Sequence, residues 1–417
     1  MKEFVRNPKF IVPRNLTNTC KSKFEFIYES NQLKTKKGKN NHDKLQFQKN
    51  LYEKLKESNR NIYRTDVALL IKISIYQANA PSIQSVAKHY IDLICKTIPE
   101  TGIKRQYLIL KDDLQIKYLN VEYSENTEGK SRIQFTILSY HLFKERVHLV
   151  KWFNLYHKNT HNDYEENEDM PIEDESLSEY GNHLTSSIAN SNDFEYWKFW
   201  NQRNTQKAFL HNNKITNKSI VDIFYPETPS QEDLSKPLER LQGLNFDNII
   251  YELNIDTFQF NFGSLPSREG EGNEYKKNIK NQVQEYLKNK NFLIPTLNPI
   301  GLTVLVKQGM TQHKDLDNIA REIIQVIFEL LNPPTSLWNS LQKVELEKIN
   351  SYYSKAKVAS FYPKTGFLKY KVIYLPPTEN SQDEFVRLNI HNADYFYEFE
   401  SYLDRRISKM KNESEFS

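Results

Sequence analysis

Val67-Ala-Leu-Leu-Ile-Lys-Ile-Ser-Ile75 and Ile300-Gly-Leu-Thr-Val-Leu-Val-Lys-Gln308 are two short apolar runs rich in β-branched residues, 233 residues apart. Each reads as a strand. The same offset carries Val86-Ala87-Lys88 onto Ile319-Ala320-Arg321, Ile91 onto Ile324 and Ile94 onto Ile327. That spacing predicts a helix buried on one face after each strand. Upstream, Leu51 and Leu55 match Val283 and Leu287 inside Lys/Glu-rich helical patterns. Further upstream, Phe24-Glu-Phe-Ile-Tyr28 and Phe258-Gln-Phe-Asn-Phe262 alternate as first strands. Downstream, Asp112-Asp113-Leu114-Gln115 aligns with Asn339-Ser340-Leu341-Gln342. Five matches in one order imply a tandem duplication.

The expected architecture is therefore α+β, with one repeat at 20–140 and a second at 246–376. An insertion at 141–245 separates them, and 385–411 reads as a charged amphipathic C-terminal helix. The insertion carries aromatic patches (Trp152, Phe153, Tyr156; Phe194, Tyr196, Trp197, Phe199, Trp200) around an acidic stretch. Those patches suit a protein partner.

The chain has 417 residues, and its overall charge of +4 conceals a division. Nine acidic residues and no Lys or Arg lie between Asp163 and Glu179, which leaves +13 on the rest. Such an excess favours an anionic partner, with nucleic acid first; a soluble protein with one acidic loop is the plain alternative. Two cysteines, Cys20 and Cys95, exclude a disulfide scaffold and a cysteine-only zinc cluster. No apolar run approaches the roughly 20 residues of a membrane span, and the start has no signal-peptide pattern. The expected location is cytoplasmic, at the nucleoid if the partner is DNA.

Lys314-Asp315-Leu316-Asp317-Asn318 stands directly ahead of the second amphipathic helix, and Asp112-Asp113 stands at a strand start in the first half. Clustered carboxylates suit Mg²⁺, which takes oxygen ligands and keeps several waters. Such ions activate water and stabilise a leaving oxygen in phosphodiester hydrolysis. The plain alternative is helix capping and dipole complementation.

A strand, then Asp-Leu-Asp-Asn, then a helix with a basic residue three positions on, resembles the RusA family of Holliday-junction resolvases. In that family the pattern continues with a late-helix Asp and closes on Asp-Asp-x-Gln at the next strand. The resemblance implies a small α+β fold, dimeric in the family and here fused into a monomer acting as a pseudo-dimer. It implies binding of four-way DNA junctions and Mg²⁺ held by three Asp.

The motif is divided between the halves. The second half keeps Asp315, Asp317 and Asn318, with Arg321 as the basic residue, but has Gln325 and Asn339-Ser340 where the family has Asp. The first half has Ser82, Ile83, Gln84 and Ser85 at the Asp-x-Asp-Asn positions, and keeps Lys88, Asp92 and Asp112-Asp113. Three readings follow. The first in rank is a structure-specific DNA-binding protein whose catalysis has degenerated, because neutral side chains hold four of the six acidic ligand positions. The second is a Mg²⁺-dependent junction endonuclease with one composite site, in which Asp315 and Asp317 meet Asp113, with Asp112 as a further ligand. If the family triad sits within one subunit, that site needs a rearranged pseudo-dimer. The third is an interaction subunit without DNA binding.

Lys36, Lys37 and Lys39, in the loop after the first strand, are the expected phosphate contacts, with Lys88, Asn318 and Arg321 at the motif helices. Their counterpart loop around Arg268 has lost that charge. His157 and His161 have i, i+4 spacing but no further zinc ligand pattern. No Walker or dinucleotide fingerprint occurs.

Overall fold

The computed structural model describes residues 23–33, 41–76, 81–125, 129–147, 150, 206, 210, 258–266, 271–290, 300–310, 314–331, 367–377, 383–393 and 403–408. The first half runs β1 (Phe24–Ser30), α1 (Asn41–Glu57), β2 (Val67–Ile75), α2 (Ile83–Cys95), β3 (Ile116–Glu125) and β4 (Ser131–Ser139). The second runs β5 (Phe260–Asn261), α3 (Glu271–Asn289), β6 (Ile300–Lys307), α4 (Leu316–Leu331), β7 (Phe367–Tyr374) and β8 (Phe385–Asn392). All eight strands form one mixed sheet in the order β1-β4-β2-β3-β7-β6-β8-β5. The fold class is α+β, and no helix among the described residues is long and apolar enough to cross a membrane.

The periodicities account for the local structure. In α2, Val86, Ala87, Ile91 and Ile94 are fully buried, and in α4 so are Ala320, Ile324 and Ile327. Both helices lie on the sheet face that holds the main core, with Phe47, Leu51, Val283 and Ile279 of α1 and α3. Each buried aliphatic side chain contributes about 1.5–3 kcal/mol. The opposite face is partly polar yet buried. It presents Asn120, Glu122, Thr303, Lys371, Asn389 and His391, and Phe143 from the helical stretch 140–147 packs on Tyr118.

The two halves repeat one pairing scheme. β2 and β3 are parallel with a register shift at Val67/Ala68, and β6 and β7 are parallel with the corresponding shift at Ile300/Gly301. Val67 pairs with Ile116 and Ile300 with Phe367, so positions in β3 and β7 correspond at an offset of 251. The halves meet where β3 and β7 pair antiparallel. Tyr118↔Ile373 and Glu122↔Lys369 are mirror images under that offset, and Asn120↔Lys371 maps onto itself. A pseudo-two-fold axis therefore passes through the Asn120–Lys371 pair.

One expectation lies outside the described residues and one needs correction. The third strand of the second half begins at Phe367, and Asn339–Gln342, expected to match Asp112–Gln115, lies outside the described residues. Phe385–Asn392 is not helical. It is β8, a fourth strand equivalent to β4, and among the described tail residues only 403–408 are helical. Its Arg387, Asn389 and His391 alternate with buried Val386, Leu388 and Ile390, a period of two.

Gly301 is a close-approach position. A Cβ there would lie 2.1 Å from Cε1 of His391, its cross-strand neighbour. The equivalent pair in the first half is Ala68 with Leu138. Gly301→Ala should lower stability by about 1–3 kcal/mol through overpacking, and Gly301→Ala/His391→Ala should recover most of it; equal thermal midpoints for wild type and single variant would contradict the packing.

Candidate metal centre

The Asp112-Asp113-x-Gln115 loop is built by its own side chains. Asp112 caps the short 3-10 turn Asp113–Gln115, its Oδ1 accepting from Leu114 N–H at 2.9 Å. Gln115 Oε1 accepts from Lys111 N–H at 2.7 Å, and its Nε2 donates to the carbonyls of Tyr63 (3.1 Å) and Thr65 (3.0 Å). The loop is thereby fastened to the segment that leads into β2. In the second half Asp315 precedes α4, and its Oδ2 accepts from Asn318 Nδ2 at 2.7 Å. Asn318 thus positions a carboxylate, where the sequence suggested a DNA contact.

Sheet direction brings these two elements together. Within one half, α2 starts beyond the C-terminal end of β2, whereas Asp112 and Asp113 stand at the N-terminal end of the parallel strand β3. Ser82 and Asp92 are ten residues apart along α2, roughly 15 Å at 1.5 Å per residue. Because β7 runs antiparallel to β3, the C-terminal end of β6 lies beside the start of β3. The start of α4 therefore faces the Asp112-Asp113 loop without any rearrangement of the halves.

Asp112, Asp113 and Asp315 bring one carboxylate oxygen each within 4.8 Å of one another. This is a group that could hold a metal ion. Asp317 is outside that trio. Its side chain is only 2% exposed, and its Oδ2 lies 2.8 Å from Lys88 Nζ. Lys88 also reaches Asp113 Oδ2 at 2.8 Å and Asp92 Oδ1 at 3.2 Å. Lys88 was expected at a DNA phosphate; its ammonium is instead spent on three carboxylates. Arg321, its counterpart on α4, is exposed. Lys36, Lys37 and Lys39 lie outside the described residues, as do His157 and His161.

Five carboxylates (Asp92, Asp112, Asp113, Asp315, Asp317) gather here, three of them (Asp92, Asp113, Asp317) within 3.2 Å of the Lys88 ammonium. Burial and the like charges of Asp113 and Asp317 push the Asp315 carboxyl up to about 6. Burial also raises Asp317, which Lys88 only partly offsets. Burial raises Asp113 too, but its bond to Lys88 outweighs this and holds it below the ordinary value. The same bonds to Asp113 and Asp317 outweigh burial at Lys88 and hold its ammonium charged. The donor set fits a hard divalent cation: oxygens only, an excess of negative charge, and a buried Asp317 Oδ1 without a hydrogen-bond partner.

A cleft adjoins Asp315, lined by Ile116, Lys117, Gln308, Lys314 and Tyr374. It is a small depression that places Lys117 and Lys314 beside Asp315. Lys117 was not foreseen; it follows the Asp-Asp-x-Gln-hydrophobic pattern by one residue. Comparison with protein-family models, with curated proteins and with solved structures gives no match.

Lys88→Met should destabilise the fold by about 3–5 kcal/mol, because it leaves the Asp317 charge buried and unpaired; Lys88→Met/Asp317→Leu should regain most of that loss, and an additive double variant would contradict the pairing. The Asp315 carboxyl adds a pH signature. A folded-state value of about 6 against an ordinary 3.8 stabilises the metal-free fold fully below 3.8 and loses that contribution as pH rises through about 6. Between those values Asp315→Asn should become more stable relative to wild type as pH rises, measured by urea denaturation in EDTA; a constant difference would contradict the shift.

Proposed function

We propose that this chain is a tandem RusA-like nuclease that hydrolyses DNA phosphodiesters with a divalent metal, Mg²⁺ first, at one composite site. The observation that supports it is the convergence of Asp112 and Asp113 from one half with Asp315 from the other within 4.8 Å. The shared strand order and pairing scheme of the two halves supports the duplication. The charge of +13 outside the Asp163–Glu179 stretch supports an anionic polymer as substrate. Branched DNA comes first among polymers because of the Asp-Leu-Asp-Asn and Asp-Asp-x-Gln motifs.

In this reading Asp112, Asp113 and Asp315 would hold the ion. When bound, it would supply Lewis-acid polarisation of the phosphate and a more acidic water. Lys88 fixes Asp113 and Asp317 in place and limits repulsion within the cluster. Asn318 orients Asp315, and Gln115 anchors the loop that carries the other two ligands. Lys117 and Lys314 in the adjoining cleft neutralise phosphate charge. Lys36, Lys37, Lys39 and Arg321 extend the contact along the backbone.

DNA binding without cleavage is the second reading. What favours it is Lys88, which already gives Asp113 and Asp317 a resident cation at 2.8 Å. A protein-interaction role for the 141–245 insertion is compatible with either.

The test is cleavage of a labelled four-way junction and a matched duplex, in Mg²⁺ and in EDTA. Wild type should cut the junction only with metal. Asp315→Asn and Asp113→Asn should each lose more than the roughly 10–100-fold typical of removing an outer-shell partner. Junction binding without cleavage would move the conclusion to a DNA-binding protein without catalysis, and absence of both would move it to a protein-interaction subunit.

A further inference from the structure

Lys117 is the residue that the register shift of β3 leaves over. Val67 pairs with Ile116 and Ala68 with Tyr118, so no residue of β2 pairs with Lys117. The shift also breaks the alternation of the strand. Leu119 and Val121 point into the main core, and counting back by two would put residue 117 there as well; Ile116 takes that place instead. Lys117 is left half-buried between two buried neighbours, Ile116 and Tyr118. An extra residue of this kind re-aims its side chain, and such irregularities gather beside active sites. β7 has the corresponding shift, with Leu368 as the extra residue. The fold supplies the irregularity twice, and the sequence places an ammonium on one of the two.

The ring of Tyr374 receives that side chain. Lys117 Nζ lies 4.3 Å from its centroid, within reach of a cation–π contact. Tyr374 is itself firmly held. It is buried at the end of β7 opposite Val306, and its carbonyl accepts from the Tyr140 hydroxyl at 3.1 Å. Lys117 comes from the first half and Tyr374 from the second, so their contact exists because β3 and β7 pair antiparallel. Both line the depression beside Asp315. The ammonium of Lys117 differs in state from that of Lys88. Three carboxylates hold Lys88, whereas among the described residues no carboxylate lies within ion-pair distance of Lys117. Asp66 acts on it from farther away. An aromatic ring fixes a cation without neutralising it, so the charge of Lys117 is available to an anion at Asp315.

We infer that Tyr374 is a positioning residue for Lys117, and that Lys117, seated on its ring, is the catalytic residue that contacts the scissile phosphate beside Asp315. The inference rests on the nuclease reading above. In the hydrolysis the oxygen of water bonds to phosphorus, the bond from phosphorus to one sugar oxygen breaks, and that sugar oxygen takes up a proton. Lys117 keeps its own proton and acts by charge on the phosphate oxygens. An ammonium already held in place needs little reorganisation when the phosphate arrives.

The experiment is single-turnover cleavage of a labelled four-way junction by the full chain in Mg²⁺, with protein in saturating excess, so that the rate reports the step after binding. Lys117→Met should slow cleavage by about 100-fold. Tyr374→Leu should slow it by roughly 3–30-fold, and Tyr374→Phe, which keeps the ring, should restore most of the rate. In Lys117→Met/Tyr374→Leu the second substitution should add nothing, because the ring acts through the ammonium. Mn²⁺ affinity, which reads the carboxylates, should be equal in all four variants. Cleavage by Lys117→Met at the wild-type rate, or an additive double variant, would overturn the inference and leave the nuclease standing. Loss of Mn²⁺ binding in Tyr374→Leu would also overturn it, since the ring would then be supporting the carboxylates. A wild type that binds the junction and does not cut it would overturn the nuclease reading and this inference with it.

Discussion

The antiparallel pairing of β3 with β7 is the constraint on which the rest depends. Each half alone is a four-stranded sheet with two edges, and one edge of each is used up at the seam. Sheet continuation hides backbone groups that would otherwise need water. It also reverses one half relative to the other, and that reversal is what sets the start of α4 against the start of β3. Had the seam been parallel, Asp315 and Asp113 would stand at opposite ends of the sheet.

The cluster that results is held by opposing forces. Five carboxylates repel one another, and burial makes each charge more costly. Lys88 is the resident counterweight, with Asp113, Asp317 and Asp92 within 3.2 Å. It comes from the half that lacks the Asp-x-Asp-Asn motif, so the two halves complement each other in charge as well as in candidate ligands. Removing either half's contribution leaves unbalanced buried charge. This makes the site a structural joint between α2 and α4 as well as a candidate centre of chemistry.

Much of the fold was legible because it rests on local periodicity. Phe26 and Phe260, Val67 and Ile300, and the helix positions around Ile91 and Ile324 all occupy equivalent places, since one buried face imposes one pattern. The positions of β7 and β8 were not. Their second faces carry half-buried Lys369 and Arg387 with buried Lys371, Asn389 and His391, and polar residues at such positions mimic an exposed amphipathic element. Of the site, the candidate ligands Asp112, Asp113 and Asp315 were visible as motifs. Their meeting across halves stood as one of three readings and went no further, because strand direction at the seam is a tertiary fact that no spacing encodes. The commitment of Lys88 to carboxylates was not visible, since it needs the crossing of α2 and α4.

The central claim is that one metal site takes ligands from both halves. Mn²⁺ binding to the full chain, measured by titration calorimetry or by the loss of the free-ion spin resonance, tests it most directly. The account predicts one strong site in wild type, lost in Asp113→Asn and equally in Asp315→Asn, with both variants still folded. A site that survives either substitution, or that needs residues of only one half, would contradict it.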